Sequence, residues 1–193
     1  MKEMKMAVLL SGSGRTLDNF HQCIHNGSMP GKIEVVISNK SDALGLKKAE
    51  QYGYPAFFEA DNEAISSRLL EYGVELVLLA GYLKLFKPPE QLRKRVLNIH
   101  PALIPSFSGH GYYGMRVHRA AYERGVRVSG CTVHFANQEY DEGPIVIQKC
   151  VDLAYGDTPD DIAAKVFAAE CKAYPEAVRL IHSQGINYFW TGK

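Results

Sequence analysis

Apolar runs of strand length alternate with segments of helical spacing through the first half of the chain. The runs occupy residues 6–10, 33–38, 55–58, 76–80 and 96–100. This alternation predicts a doubly wound α/β fold with a mostly parallel sheet. The runs at 7–10 and 76–80 contain no polar residue, which is typical of central strands that helices cover on both faces.

The pattern changes after residue 100. Residues 101–114 form a loop rich in proline and glycine, and a helix is predicted near residues 117–124. Runs at 131–135 and 145–151 flank the turn Asp141-Glu142-Gly143-Pro144 and predict an antiparallel strand or hairpin at the C-terminal side of the sheet. Thr158 and Pro159 begin a last helix that runs to about Ser183. Since no repeat or linker divides the chain, residues 1–193 are predicted to form a single domain.

Composition narrows the class of partner. A net charge of +1, with 46% hydrophobic and 22% charged residues, gives no reason to expect nucleic acid or a membrane. The four cysteines form no CxxC pair, and His21 and His25 lack the acid of a zincin motif, so no metal site is expected. The absence of a signal-like or membrane-spanning segment predicts a cytoplasmic protein that acts on small molecules.

A glycine-containing loop follows the first predicted strand. It comprises Ser11, Gly12, Ser13, Gly14, Arg15 and Thr16. Its backbone amides and the start of the next helix can hold an anion, so a phosphate is the expected ligand. Leu17 stands where a dinucleotide-binding fold has its third glycine, and this argues against NAD. The alternative is an ordinary tight turn that uses glycine for backbone freedom.

An amide and an imidazole lie two residues apart at the end of the fifth run. Asn98 and His100 therefore face the same side of a strand, and Asp141 could supply a nearby carboxylate. Acyl transfer to an amine needs a donor for the oxyanion and a group that titrates near neutrality, and these side chains can supply both. His134 is a weaker candidate than His100 because it lies inside a predicted strand. Cys131 and Cys150 carry no thiolate signal and are interpreted as packing residues.

These segments resemble the phosphoribosylglycinamide formyltransferases, a folate-dependent family of purine biosynthesis. The resemblance covers nearly the whole chain and rests most specifically on three segments: Asn98-Ile99-His100-Pro101-Ala102-Leu103-Ile104-Pro105, Gly130-Cys131-Thr132-Val133-His134-Phe135 and Asp141-Glu142-Gly143-Pro144-Ile145. It implies the formyltransferase fold, and transfer of a formyl group from 10-formyltetrahydrofolate to the amine of glycinamide ribonucleotide without metal. Asn98, His100 and Asp141 match the family's catalytic positions, and Asp141 is expected to raise the pKa of the imidazole.

The resemblance also implies the binding residues. The loop from Ser11 to Thr16 would hold the phosphate, and Glu170 matches an acid that contacts the ribonucleotide. The folate would bind between two segments and the catalytic residues: Leu83, Lys84, Leu85, Phe86, Asn98, Asn137, Gln138, Glu139, Tyr140 and Asp141. The pair Arg15-Thr16 and a longer loop at 109–117 depart from the family pattern, and Arg68 is only a weak candidate for contact with the folate tail.

Other activities on the same fold stay open at this point. A sugar-nucleotide formyltransferase or a formyltetrahydrofolate hydrolase would carry the same three catalytic residues, and a non-catalytic nucleotide-binding module would share the glycine loop. The loop after the first strand favours a ribonucleotide substrate. The protein is expected to be a monomer or a homodimer, with glycinamide ribonucleotide and a reduced folate as its small-molecule partners.

Overall fold

The computed structural model describes residues 3–191, and these form seven strands and six α-helices. In chain order they are β1 Lys5–Leu10, α1 Arg15–His25, β2 Lys32–Ser38, α2 Leu44–Gln51, β3 Ala56–Phe58, α3 Asn62–Glu71, β4 Leu76–Leu79, β5 Val96–His100, α4 Met115–Arg124, β6 Val128–Phe135, β7 Ile145–Asp152, α5 Pro159–Gln184 and α6 Ile186–Thr191. A short 3-10 turn, Glu90–Leu92, precedes β5. The chain divides after Asn98 into two compact units.

The first unit, Met1–Asn98, contains a parallel sheet in the order β3-β2-β1-β4-β5. Val8 of β1 lies opposite Val36 of β2 on one side and Leu78 of β4 on the other. The side chains of β1 from Met6 to Leu10 are fully buried, as the unbroken apolar run predicts for a central strand. The carboxyl ends of these strands lie at one edge of the sheet, where this class of fold places its ligands.

The second unit, Ile99–Lys193, is built around an antiparallel pair. Residues of β6 and β7 pair from Val128 with Asp152 as far as His134 with Ile145, and α5 packs on both strands. The helix α5 begins with a capping box, in which the Thr158 hydroxyl accepts a hydrogen bond from the Asp161 amide. The predicted fold class, a mostly parallel α/β sheet with an antiparallel hairpin at the C-terminal side, is confirmed.

Most predicted boundaries agree to within one or two residues, with two larger differences. The strand β6 begins at Val128 rather than residue 131, and the helix α6 was not predicted. Across residues 3–191 none of the helices is both long and apolar enough to cross a membrane.

Candidate active site

The glycine loop after β1 is held by a close backbone contact. Gly14 has φ +72°, and a Cβ at this position would lie 2.7 Å from the Cα of Gly45. Gly45 is equally constrained, since its own Cβ would lie 2.7 Å from both methyl carbons of Leu10. Gly14 is also the N-cap of α1 and brings no side-chain acceptor to the first amides of that helix. The loop therefore has the geometry of an anion site at a helix N-terminus.

Ser11 has a different position from the rest of this loop. Its side chain is 4% exposed; the hydroxyl donates to Oδ1 of Asn39 at 2.6 Å and accepts from the Leu83 amide at 2.9 Å. The Ser11 amide donates to the Gly81 carbonyl at 3.2 Å. Ser11 thus joins the loop to residues 81–83, whereas Gly12, Ser13 and Arg15 are exposed. A direct contact between Ser11 and phosphate stays a prediction.

The segment 83–86, which is predicted to bind the folate, lies in the first unit. Leu83 is 59% exposed, Phe86 is buried, and the ammonium of Lys84 donates to the Ala60 carbonyl at 2.8 Å. Arg68 is engaged elsewhere, since its Nη2 lies 2.6 Å from Oε1 of Glu59 and its guanidinium stacks on the ring of Phe57. This pairing leaves Arg68 a weak candidate for contact with the folate tail.

The strand β5 ends at His100, and Asn98 lies two residues earlier on the same face. The His100 ring is 4% exposed and has an acceptor at each nitrogen. Nδ1 lies 3.3 Å from Oδ2 of Asp141, and Nε2 lies 2.8 Å from the carbonyl oxygen of Phe107. Only the doubly protonated imidazolium can donate to both. The structure thus brings His100 and Asp141 together, as the sequence predicted.

A second histidine contacts the same carboxylate. Nε2 of His134 lies 3.5 Å from Oδ1 of Asp141, and the Gly109 amide donates to Oδ2 at 2.9 Å. His134 lies inside β6 as predicted and is buried there, but it also contacts a candidate catalytic group, which the sequence did not indicate. No local sequence pattern marks this contact, because the pairing of β6 shifts register between Val133 and His134 and the contact depends on the loop that carries Asp141.

Burial and charge act in opposite directions on the pair. Burial lowers the pKa of His100 below its ordinary value and outweighs the charge of Asp141 and the Phe107 carbonyl, both of which raise it. Asp141 thus acts in the expected direction, but the net shift of the imidazole is downward. Burial alone would raise the pKa of Asp141; the hydrogen bond from His134, the charge of His100 and the Gly109 amide together hold it below its usual range.

His118 of α4 lies within electrostatic reach of this pair. Its ring is 6% exposed, and among the described residues no hydrogen-bond partner is found for its Nδ1. Burial lowers the pKa of His118, and the charge of His100 lowers it further. Burial therefore disfavours the charged form of His118 as it does that of His100.

Two residues at the contacts of His100 have left-handed backbone. Phe107 has φ +49° and Asp141 has φ +62°, and these are the non-glycine positions with positive φ among residues 3–191. Such a conformation costs about 1–3 kcal/mol for a residue with a side chain, although Asp tolerates it better than most. The strain is thus concentrated at the two groups that fix the imidazole.

One face of β6 holds the loop that follows His100. Thr132 is fully buried; its hydroxyl donates to the Ala102 carbonyl at 2.7 Å and accepts from the Ile104 amide at 3.1 Å. Gly130, two residues earlier, allows close packing, since a Cβ there would lie 2.1 Å from the Lys149 carbonyl oxygen. These contacts explain why the segment has glycine at 130 and threonine at 132.

Thr132→Val should lower the free energy of unfolding by about 1–3 kcal/mol, because it leaves the buried Ala102 carbonyl and Ile104 amide without their partner. Urea unfolding at neutral pH measures this loss. Thr132→Ser retains the hydroxyl and should lose less stability. A valine variant as stable as the wild type, with a less stable serine variant, would show that methyl packing, not the hydroxyl, matters here.

A cavity of about 940 Å³ opens beside Asp141 in the second unit. It is lined by residues 104–105, 108–109, 140–146 and 188–189. Gly143 allows the loop 140–146 to lie against β6, since a Cβ there would fall 1.7 Å from the Phe135 carbonyl oxygen. Of residues 137–141, which are predicted to bind the folate, Tyr140 and Asp141 line this cavity. Tyr188 and Phe189 were not predicted.

The remaining candidate residues lie on α5, in the loop after β6 and within β6. Glu170 is half-buried on α5, and Asn137, Gln138 and Glu139 precede Tyr140 in the loop after β6. Burial raises the pKa of Cys131 to about 12, which favours the packing interpretation of this thiol. No group of three or more His, Cys, Asp and Glu side chains within residues 3–191 is arranged to hold a metal ion.

Comparison with known proteins defines the class. The sequence pattern of the formyl transferase family matches residues 4–178, and the chain belongs to this family. The phosphoribosylglycinamide formyltransferase of Arabidopsis thaliana, named chloroplastic, is 40% identical over 200 residues, which cover 97% of this chain and 68% of the plant protein. The enzyme of the same name from Vigna unguiculata is 37% identical over 96% of this chain, which spans 63% of that protein.

A solved structure shows the same fold. Glycinamide ribonucleotide transformylase 1 from Symbiobacterium toebii superposes with a TM-score of 0.86 at 40% identity, covering 94% of this chain and 89% of that one. The resemblance to the phosphoribosylglycinamide formyltransferases is therefore confirmed, and the chain is an enzyme of the transferase class.

Proposed function

We propose that this chain transfers the formyl group of 10-formyltetrahydrofolate to the amine of glycinamide ribonucleotide, a step of purine biosynthesis. One observation supports this most strongly. A buried imidazole with an acceptor at each nitrogen is paired with a carboxylate at the end of a sheet strand, in a chain of the formyl transferase family. Such a group can donate to an oxyanion in a site that excludes water.

The proposed chemistry assigns a role to each of the three residues. As the amine nitrogen bonds to the formyl carbon, the carbonyl oxygen gains negative charge, which the Asn98 amide and the His100 imidazolium stabilise. The charge of Asp141 favours the cationic form of His100 and opposes the effect of burial on its pKa. The amine then loses a proton, the bond to N10 of the folate breaks, and N10 receives a proton, so that formylated amine and tetrahydrofolate are the products.

The Phe107 carbonyl indicates where the reacting oxygen would bind. It accepts the hydrogen bond of His100 Nε2 at 2.8 Å from a residue with φ +49°. A formyl oxygen that takes this position receives the same hydrogen bond, and Phe107 is then free to leave its left-handed conformation. His100 would thus exchange a strained internal acceptor for the substrate oxygen.

Binding of the substrates is assigned to the residues that the family resemblance implies. The amides at 12–16 would hold the ribonucleotide phosphate at the start of α1, and Glu170 would contact the ribonucleotide. Leu83 to Phe86, Asn98 and residues 137–141 would bind the folate. A cytoplasmic location and a monomeric or dimeric state stay predictions.

Incubation with 10-formyltetrahydrofolate and glycinamide ribonucleotide tests the function directly. Tetrahydrofolate should appear with time and in equal amount to formylated ribonucleotide. Formation of tetrahydrofolate without the ribonucleotide would indicate a hydrolase. Transfer only to an amino-sugar nucleotide, offered as the alternative acceptor, would instead indicate a sugar-nucleotide formyltransferase. Either result would contradict the proposal.

A further inference from the structure

Two histidines lie one turn apart on α1, in the first unit. His21 and His25 have the i, i+4 spacing that places two side chains on one face of a helix. Their ring centroids lie 5.0 Å apart, and the ring planes are tilted by 39°. His21 is half-buried and His25 is exposed. The two rings are therefore close together at a surface that a small ligand can reach.

The separation of the rings is that of two imidazoles on one metal ion. A bound ion lies about 2.1 Å from one nitrogen of each ring, and therefore about 3.2 Å from each ring centre. With an angle of about 90–110° between the two bonds, the ring centres lie about 4.5–5.2 Å apart. The observed 5.0 Å falls within this interval. The spacing of the two rings on α1 thus suits a shared metal ion.

Two neighbouring tyrosines fix the His21 ring. Tyr52, the C-cap of α2, stacks on it with centroids 3.9 Å apart and planes within 8° of parallel. Nδ1 of His21 lies 2.9 Å from the Tyr54 hydroxyl. Burial raises the pKa of Tyr54, so this phenol is protonated at neutral pH. With Nδ1 donating to the phenol oxygen, Nε2 of His21 carries the lone pair, as in metal-bound histidines whose other nitrogen has a partner.

The chemistry of the ligands selects the ion. Imidazole suits Ni²⁺, Cu²⁺ and Zn²⁺, whereas Mg²⁺ and Ca²⁺ prefer oxygen ligands. Asp18, one turn before His21, has its two carboxylate oxygens on the Lys48 ammonium at 2.6 Å and the Tyr52 hydroxyl at 2.9 Å. The described residues supply no third His, Cys, Asp or Glu to this pair, so water would complete the coordination. The carbonyl end of α1, where His25 lies, also favours a cation.

We propose that His21 and His25 form a surface site for one divalent late transition-metal ion, with Tyr54 as the positioning residue of His21. Gln22 stands where a zincin motif has its glutamate, so the site holds an ion without the base of a metalloprotease. Both histidines lie outside the proposed catalytic residues, and the site is independent of formyl transfer.

Calorimetric titration of the untagged protein with NiCl₂ tests this site. His25→Ala should raise the dissociation constant for Ni²⁺ about 10²-fold, since two ligands on one scaffold gain about this factor over one. Tyr54→Phe keeps the ring, removes the hydroxyl and should raise the constant about tenfold. MgCl₂ should not compete with Ni²⁺. Equal Ni²⁺ affinity in the wild type and His25→Ala overturns the site, and an unchanged constant in Tyr54→Phe overturns the positioning role.

Other side chains that could bind Ni²⁺ provide matched controls. His182 lies on α5 with no histidine four residues away, and Cys150 is exposed on β7. His182→Ala and Cys150→Ser should keep the dissociation constant within about twofold of the wild type, because distant sites act independently. Loss of Ni²⁺ binding in either variant would place the ion elsewhere and contradict the proposal.

Unfolding in urea gives an independent readout. Excess Ni²⁺ should raise the urea midpoint of the wild type, because the ion binds a pair of rings that only the folded helix holds together. The midpoint of His25→Ala should not rise. An equal rise in both proteins would show that Ni²⁺ binds outside this pair and would overturn the inference. Since this readout needs no turnover, absence of formyl transfer would contradict the proposed function alone.

Discussion

Replacement of His100 by alanine is expected to lower kcat for formyl transfer by about 10²–10⁴-fold, the usual contribution of a positioned acid or base. The two nitrogens of His100, at the end of β5, contact the Asp141 carboxylate and the Phe107 carbonyl. Its loss removes the proposed oxyanion donor and the histidine nearest to Asp141. Single-turnover and steady-state rates with both substrates measure the change.

Two further variants distinguish a loss of catalysis from a loss of folding. His100→Asn retains a donor of smaller reach and should also transfer poorly, while its melting temperature reports whether the site still folds. His25→Ala removes an exposed histidine on α1 and should leave the rate unchanged. A folded His100→Ala variant with a rate close to the wild type would exclude the proposed mechanism.

The first half of the fold was predictable because its buried strands are unbroken apolar runs in the sequence. The strands β1 and β4 are apolar at every buried position, so their runs end where the strands end to within one residue. The helix α5 was predictable for a different reason, since Thr158 and Pro159 mark its start independently of tertiary contacts. Apolar runs and helix-start residues are local signals, so they can be recognised in a single sequence.

The missed elements depend on contacts that no local pattern records. The first residues of β6 are exposed Val128 and buried Ser129, which form no apolar run, and pairing with β7 makes them a strand. The helix α6 has six residues and exists where Phe189 and Trp190 pack on Phe135. Tertiary packing therefore decided both boundaries.

The residue types of the candidate site were predictable from the sequence, but most of the contacts between them were not. The spacing of Asn98 and His100 gives one strand face, but only the folded loop brings Asp141 within 3.3 Å of the imidazole. The same fold places His134 on the other carboxylate oxygen and commits the Ser11 hydroxyl to Asn39 and Leu83. The net pKa of His100 depends on the depth of burial, which a sequence does not state.

Asp141→Asn is the sharper test of the pair, because it removes the charge and keeps the shape. Asparagine adopts a left-handed backbone as readily as aspartate, and its carbonyl oxygen can accept the Gly109 amide, so the loop should fold normally. The expected loss in kcat is about 10²-fold or more. Stopped-flow measurement of formyl transfer, with Glu142→Gln as a control in the same loop, measures it.

The pH dependence of Asp141→Asn has a defined sign. If cationic His100 is the active form, kcat/KM falls as pH rises through the His100 pKa, and burial already holds that pKa below its ordinary value of 6.5. Loss of the carboxylate removes the charge that raises the pKa, so the fall should move to still lower pH. Stability gives an independent check: the lowered pKa of Asp141 stabilises the wild type above pH 3.8, and this contribution is lost as pH falls through the lowered value. The asparagine variant should lack that acid-sensitive part of its free energy of unfolding. A kcat/KM profile that keeps its wild-type position in a folded Asp141→Asn variant would mean that the carboxylate does not control the charge of His100.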